Sequence, residues 1–327
     1  MSQPDALVEI AREQAGDVGI LTGFGRPFGI AADTAGRLYV ADMDLHAVAR
    51  FDRTLDSVQW HTGDPGGWSA PQRVAHGRRA AATRRMPGGF DGPHSVSIGD
   101  DGTTWVVTYY RPGVHRLDAD GAVADVITTI GDQPLAGPAT ARLDRTGRLW
   151  LTEYAHHSVA VFDAAGCHVG SLGGGSITGL VRQVAHASGQ GPGAFDRPHM
   201  ATELADGTIV VADTWNHRLQ RFAESGRWLG WLGDGADGWR DDARPVTPGV
   251  APAAFHGPVA VGCRADGRFI VTDWGNNRLQ WFDPKGRLLA IEDGHGLDRP
   301  YDAQPLARGL VIADSHNGRV LISGIDA

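Results

Sequence analysis

Cysteine is nearly absent: the 327 residues carry only Cys167 and Cys263. Two thiols cannot staple a chain of this length, so a disulfide scaffold is excluded and a reduced, cytoplasmic setting is expected. Lysine is rarer still, with Lys285 the single copy, and the net charge is −8. A chain this acidic has no global cationic surface, so nucleic acid is not an expected partner. No apolar run approaches the ~20 residues that span a bilayer, so no membrane partner is expected either. The start, MSQPDALVEIAREQ, lacks the basic and then apolar pattern of a secretion signal. Long helices are also disfavoured. Gly and Pro (46 and 18 residues) make up about a fifth of the chain, and both break helices. With 42% hydrophobic residues the chain can still bury a core, which leaves many short strands joined by tight turns.

What is present is a repeat. A proline opens an apolar strand, a glycine turn follows, and a second apolar strand ends on an acidic or polar residue. The copies start at Pro27, Pro93, Pro138, Pro198, Pro258 and Pro300, spaced by 66, 45, 60, 60 and 42 residues. Each copy reads as four strands. In the fourth these are His199–Leu204, Thr208–Ala212, Arg218–Phe222 and Arg227–Leu232, with Asp206-Gly207 as a hairpin turn. Six four-stranded units predict an all-β, six-bladed β-propeller of antiparallel blades, with residues 1–327 as a single domain. The last copy lacks a fourth strand of its own. The segment Leu7-Val8-Glu9-Ile10 is expected to supply it, closing the last blade with an N-terminal strand.

Strand alternation puts the residue after each proline at one mouth of the propeller. These residues are Phe28, His94, Ala139, His199, Val259 and Tyr301. The polar ones fall in blades two, four and six. His94, His199 and Tyr301 are therefore candidate ligands of a divalent transition metal with an open position. Zinc is the first expectation, and iron or copper if the Tyr301 phenolate is a ligand. His295 or His256 are alternatives for the third position. The other reading is that the histidines hydrogen-bond only to water or backbone. His76 and His186 stand in the loops entering blades two and four, as further ligands or as groups beside the substrate.

The long connections before blades two, four and five lie on this same face. Arg78, Arg79, Arg84 and Arg85 cluster in the first, where 70–86 is expected to form a short helix. Arg85 is a candidate grip on a carboxylate, the alternative being a solvated basic face. Tyr109 and Trp274, with Tyr110 and Trp215, lie on the same rim, as pocket walls or as packing between blades. Asp42, Glu153, Asp213, Asp273 and Asp314 end the second strand in five blades and are expected to bind backbone amides at the following turn, the alternative being a ring of carboxylates for calcium. Glu153 departs from Asp and adjoins Tyr154, which makes the pair candidates for proton transfer. His46, His157 and His217, with Asn216, Asn277 and Asn317, read as turn residues.

The stretches ADTWNHRLQRF (212–222) and TDWGNNRLQWF (272–282) resemble NHL repeats. GPHSVSIGDDGTTWVV and RPHMATE are similar to the ligand strands of the peptidyl-α-hydroxyglycine α-amidating lyases. That family is a six-bladed propeller with a catalytic zinc on three Pro-His histidines from alternate blades. The resemblance implies ligands at His94 and His199 and an active-site tyrosine near Tyr154. Tyr301 replaces the third histidine, and the family's arginine falls near Met43, so it is missing. The resemblance thus carries a metal centre with a nearby tyrosine rather than peptide amidation. The functional expectation is a metal-dependent lyase or hydrolase acting on a small polar or carboxylate-bearing molecule. The alternative is a non-catalytic propeller that binds a protein or ligand.

Overall fold

The computed structural model describes residues 9–13, 18–73, 75–76, 89–182, 187–306 and 309–323. The chain is all-β, a six-bladed propeller of four-stranded antiparallel blades, with three single-turn 3-10 helices among the described residues. Blade four matches the sequence reading closely, with strands Met200–Glu203, Ile209–Asp213, Arg218–Phe222 and Trp228–Leu232. The second strand of each blade is buried along its whole length, as in Ile209–Asp213. Strands packed on both faces read as continuous apolar runs rather than as an alternation.

The chain divides into two compact units, residues 1–126 with 304–327 and residues 127–303. In the first, Leu21, Val40, Phe51, Trp60, Val311 and Val320 share one core. Tyr39, Val48, Phe90, Val96 and Val106 share another. Gly29 is needed where the inner strands of blades one and two approach. A Cβ there would lie 2.6 Å from Ser95 Cα. In the second unit the shared cores run from Trp150 and Val161 to Phe222, and from Leu219 and Phe255 to Phe282.

The N-terminal strand that pairs with Arg319–Ser323 is Val18–Thr22, with Ile20 opposite Leu321. The expected segment is therefore one strand too early. Glu9–Glu13 pairs with the far edge of Val18–Thr22. Ile20 and Leu21 are buried there, and this anchors the nearer strand to the core. A second correction concerns the expected helix over 70–86. Gln72–Arg73 and Ala75–His76 are short strands. Gln72–Arg73 pairs with the outer strand of blade one, whose unpaired backbone groups favour an added strand over a helix. The remainder of that loop, with Arg78, Arg79, Arg84 and Arg85, lies outside the described residues.

The turns after the second strands follow one rule. In blades one, three, four and five the buried carboxylate ending the strand collects backbone N–H groups. Asp42 accepts from Gly25, Arg26, Asp44 and Leu45. Asp213 accepts from Asp196 and Asp273 from His256. In blades four, five and six an arginine of the next strand also pairs with it: Arg218, Arg278 and Arg319, at 2.9, 2.8 and 2.6 Å. Blades one and three carry Ala47 and Ser158 at that place. Burial pushes the Asp42 carboxyl up to about 6 and the Glu153 carboxyl up to about 7, and it raises Asp213 as well despite Arg218.

The turn histidines join successive blades. His46, His157 and His217 have left-handed backbones (φ 56, 52 and 54°). Their Nδ1 atoms accept the N–H of Gly92, Arg197 and Gly257, each the residue before an inner-strand proline. Asn277 does the same for Arg299 with its Oδ1. Asn277 is thus the counterpart of His217, and Asn276 is the counterpart of Asn216 and Asn317, binding the strand-ending Asp.

Candidate functional site

The second unit brings together residues that are far apart in sequence. Pro198 and Pro300 open inner strands, so His199 and Tyr301 occupy matching places two blades apart. Tyr301 Oη lies 2.8 Å from His199 Nε2. Tyr154 meets the His199 ring edge-on at 5.0 Å. His199 is 8% exposed, while Tyr154 and Tyr301 are partly open, so the group faces outward from a buried base.

His199 is held at both backbone and ring. Its N–H donates to Ala212 O, and its carbonyl accepts from Thr140 Oγ1 at 2.8 Å and Thr152 Oγ1 at 2.6 Å. Its Nδ1 lies 3.1 Å from Thr214 Oγ1. The Thr214 hydroxyl donates its only proton to Pro258 O at 2.7 Å. Thr214 then accepts from the ring, which puts a proton on Nδ1; in the neutral tautomer Nε2 carries the lone pair. Tyr301 is then the donor to Nε2. A neutral imidazole oriented through its far nitrogen is suited either to accept a phenol proton or to ligate a cation.

Arg197 and Arg299 flank the pair, each two residues upstream of its partner and each exposed. The Arg197 guanidinium lies 5.5 Å from the Tyr154 ring centre and 5.3 Å from that of Trp215. Arg299 lies over Trp274 at 4.8 Å. Both have left-handed backbones, φ 50° and 48°. Gly92 and Gly257 take the same conformation at the same place in blades two and five, φ 64° and 68°. A side chain there costs about 1 kcal/mol or more that glycine avoids. Below the pair, Asp302 accepts from Arg142 at 2.6 Å, both largely buried, joining the inner strands of blades three and six.

Glu153 is fully buried and accepts the N–H groups of Gly137 and Ala136 at 2.5 and 3.1 Å. It thus anchors the turn that carries Tyr154. In the first unit, His94 is 4% exposed, edge-on to Phe28 at 4.7 Å and stacked near Tyr109 at 5.7 Å. His256 faces the His217 ring at 5.6 Å, and His295 is exposed in a left-handed turn. His76 falls on a strand paired with Ile10, and nothing is described of its side chain. Arg85 and His186 lie outside the described residues. Among the described residues, no three of His, Cys, Asp and Glu are grouped to hold a metal ion. Sequence reasoning missed Thr214, Arg197 and Arg299. The repeated Arg-Pro before His199 and Tyr301 was the available signal for the arginines. For Thr214 it was the shared slot, directly after the second strand, that Tyr154 fills in blade three.

Residues 195–222 match the NHL repeat model. These residues contain Arg197, His199 and Thr214. The chain is 26% identical over 142 residues to a probable peptidyl-alpha-hydroxyglycine alpha-amidating lyase of Caenorhabditis elegans. That match takes in 40% of this chain and only 37% of the worm protein. Among solved structures, a streptogramin B lyase superposes with a TM-score of 0.56 at 12% identity, over 96% of each chain. A gluconolactonase of Xanthomonas campestris superposes with a TM-score of 0.55 at 14% identity, over 100% of this chain and 99% of that one. At such identities these structures share the fold. Proteins similar to this chain thus include lyases and a gluconolactonase. Among the described residues, no helix is long and apolar enough to cross a membrane.

Proposed function

We propose that this chain is an enzyme, a lyase or hydrolase for a small polar or carboxylate-bearing molecule, with His199 and Tyr301 at its centre. The observation that carries the reading is the contact of Tyr301 Oη with His199 Nε2 at 2.8 Å, on a ring whose Nδ1 is held by Thr214 Oγ1 at 3.1 Å. A binding scaffold has no use for an imidazole fixed at both nitrogens and directed at a phenol.

The donor set fits a metal ion in part. His199 Nε2 and Tyr301 Oη are 2.8 Å apart, and an outer hydroxyl orients the imidazole as metal sites require. In this proposal His199 and Tyr301 hold the ion, and the ion is zinc, or iron or copper where the phenolate binds. Such an ion, when bound, polarises a substrate oxygen or activates water. Tyr154, edge-on to His199, is the group placed to move a proton at the substrate. Glu153 keeps that tyrosine's turn in place through the Ala136 and Gly137 amides.

The test is metal content by mass spectrometry, for the wild type and for His199→Ala and Tyr301→Phe. One equivalent in the wild type, lost in both variants, is the expected result. Wild-type protein that takes up no stoichiometric metal after reconstitution refutes the metal centre. A turnover screen on hydroxy acids and lactones then decides between enzyme and scaffold.

A further inference from the structure

Two arginines at the rim break a local rule. At the residue before the inner-strand proline, blades two and five use glycine in a left-handed conformation, Gly92 and Gly257. Blades four and six place Arg197 and Arg299 there in the same conformation. A residue held in a strained backbone where glycine serves elsewhere points to a need for its side chain. Fold stability does not supply that need, because the backbone N–H of the residue is what joins the blades. Arg197 and Gly257 donate it alike, to His157 and His217.

The guanidinium groups are also unusual. In blade one, Arg26 precedes its proline and is gripped by Asp44 at 2.8 and 2.6 Å. Among the described residues, no carboxylate or carbonyl accepts from the guanidinium of Arg197 or Arg299. Arg197 Cζ lies 5.5 and 5.3 Å from the ring centres of Tyr154 and Trp215, and Arg299 Cζ 4.8 Å from that of Trp274. A guanidinium that meets only aromatic rings keeps its N–H donors for a ligand, in the fork geometry that fits a carboxylate. Two residues of chain reach at most about 7 Å, so each arginine stands close to its own member of the His199–Tyr301 pair. In a protein of net charge −8, these are two open cations at one centre.

We infer that Arg197 and Arg299 form a two-point clamp for a small dicarboxylate, held above the His199–Tyr301 contact. This rests on the reading of that contact as the reactive centre. It assigns the substrate's charge and the residues that select it. One carboxylate binds the donors of Arg197 and the other those of Arg299, which leaves the carbon between them over Tyr301.

The test uses succinate as the probe, with propionate and succinamide as controls, at fixed ionic strength. Binding is read from the fluorescence of Trp215 and Trp274, checked by calorimetry. Succinate is expected to bind at least tenfold more tightly than propionate, with succinamide silent. Arg197→Gly and Arg299→Gly are each expected to weaken succinate tenfold or more, and the double variant to bring it to the propionate level. Because glycine fits the backbone, the variants are expected to melt at or above the wild-type temperature. Equal binding of succinate and propionate overturns the clamp, and so does unchanged succinate binding in the double variant. A melting temperature several degrees lower in the variants also overturns it, since the arginines would then be structural. His199→Ala separates this from the reading it rests on. Loss of metal or turnover with succinate binding intact supports both, whereas a wild type without metal that still binds succinate faults only the metal centre.

Discussion

The Glu153→Gln substitution tests the account of the strand-ending carboxylates. Glu153 is buried, is held by two backbone amides and has Ser158 where blades four to six place an arginine. Burial raises its carboxyl from an ordinary value of 4.5 to about 7. An acid whose value is raised on folding binds its proton more tightly in the folded chain. Its contribution is therefore fully present below pH 4.5 and is lost as pH rises from 4.5 through 7. A shift of about 2.5 units at 1.4 kcal/mol per unit bounds the loss at about 3 kcal/mol. For a chain of this size that is about 5 °C in melting temperature. Gln matches the protonated acid in shape and does not titrate. The variant is expected to melt near or slightly below the wild type at pH 5. Relative to the wild type it should then gain up to about 5 °C between pH 5 and pH 8. The assay is thermal unfolding followed by circular dichroism at pH 5, 6, 7 and 8. If the two proteins keep a constant gap across that range, the carboxyl does not hold its proton near neutrality and the argument from burial fails.

Thr214→Val is expected to release the Nδ1 proton of His199 and to cost tenfold or more in metal affinity, while Thr214→Ser restores it; metal titration of the three proteins checks this. Arg142→Met leaves the buried Asp302 without its guanidinium and is expected to destabilise by about 3–5 kcal/mol, with Arg142→Met/Asp302→Leu recovering much of the loss in denaturant titration. Gly29→Val meets the blade-two backbone and is expected to cost about 3 kcal/mol or more, read as a lower denaturation midpoint. His115 is lowered to about 4 by burial, so its contribution is present above pH 6.5 and lost as pH falls through 4; His115→Phe is expected to reduce acid sensitivity across that range.

The blade count and strand order were legible because each unit repeats the same proline, turn glycine and buried strand. The closing strand was not. Leu7–Ile10 was expected to pair with the last strand, whereas Val18–Thr22 does so, with Ile20 and Leu21 buried against the core. The neighbours of His199 were partly legible. Pro-His and Pro-Tyr in matching frames marked His199 and Tyr301 as candidates, and the two lie 2.8 Å apart. Thr214 could not be read, because its role depends on Pro258 O taking its proton, a contact across two blades. Asn277 shows the same limit in another form. Its neighbour Asn276 has the same side chain, so composition alone does not say which of them turns the chain and which binds Asp273.

The unequal repeat spacing has a physical reading that the search for a site obscures. Blades one, three and four have the long spacings, and in each the connection doubles back onto its own outer strand. Gln72–Arg73 pairs with Ser57–His61, Val181 bridges Ser171, and Arg240 bridges Trp231. Blades two and five have the short spacings. Among the described residues, no strand covers their outer strands, Val123–Ile127 and Leu288–Glu292. Those two are the most exposed outer strands, and each carries a charge, Asp125 or Glu292. An open edge invites pairing with another chain, and charge is one way to prevent it. The extra length in three blades therefore acts first as edge cover, and loop length alone overstates where function lies. The prolines and the residues on either side of them locate the site more closely. Substituting Asp125 by Val tests the edge argument, with faster aggregation on mild heating expected at unchanged melting temperature. An aggregation rate equal to the wild type would show that the edge is protected by something other than its charge.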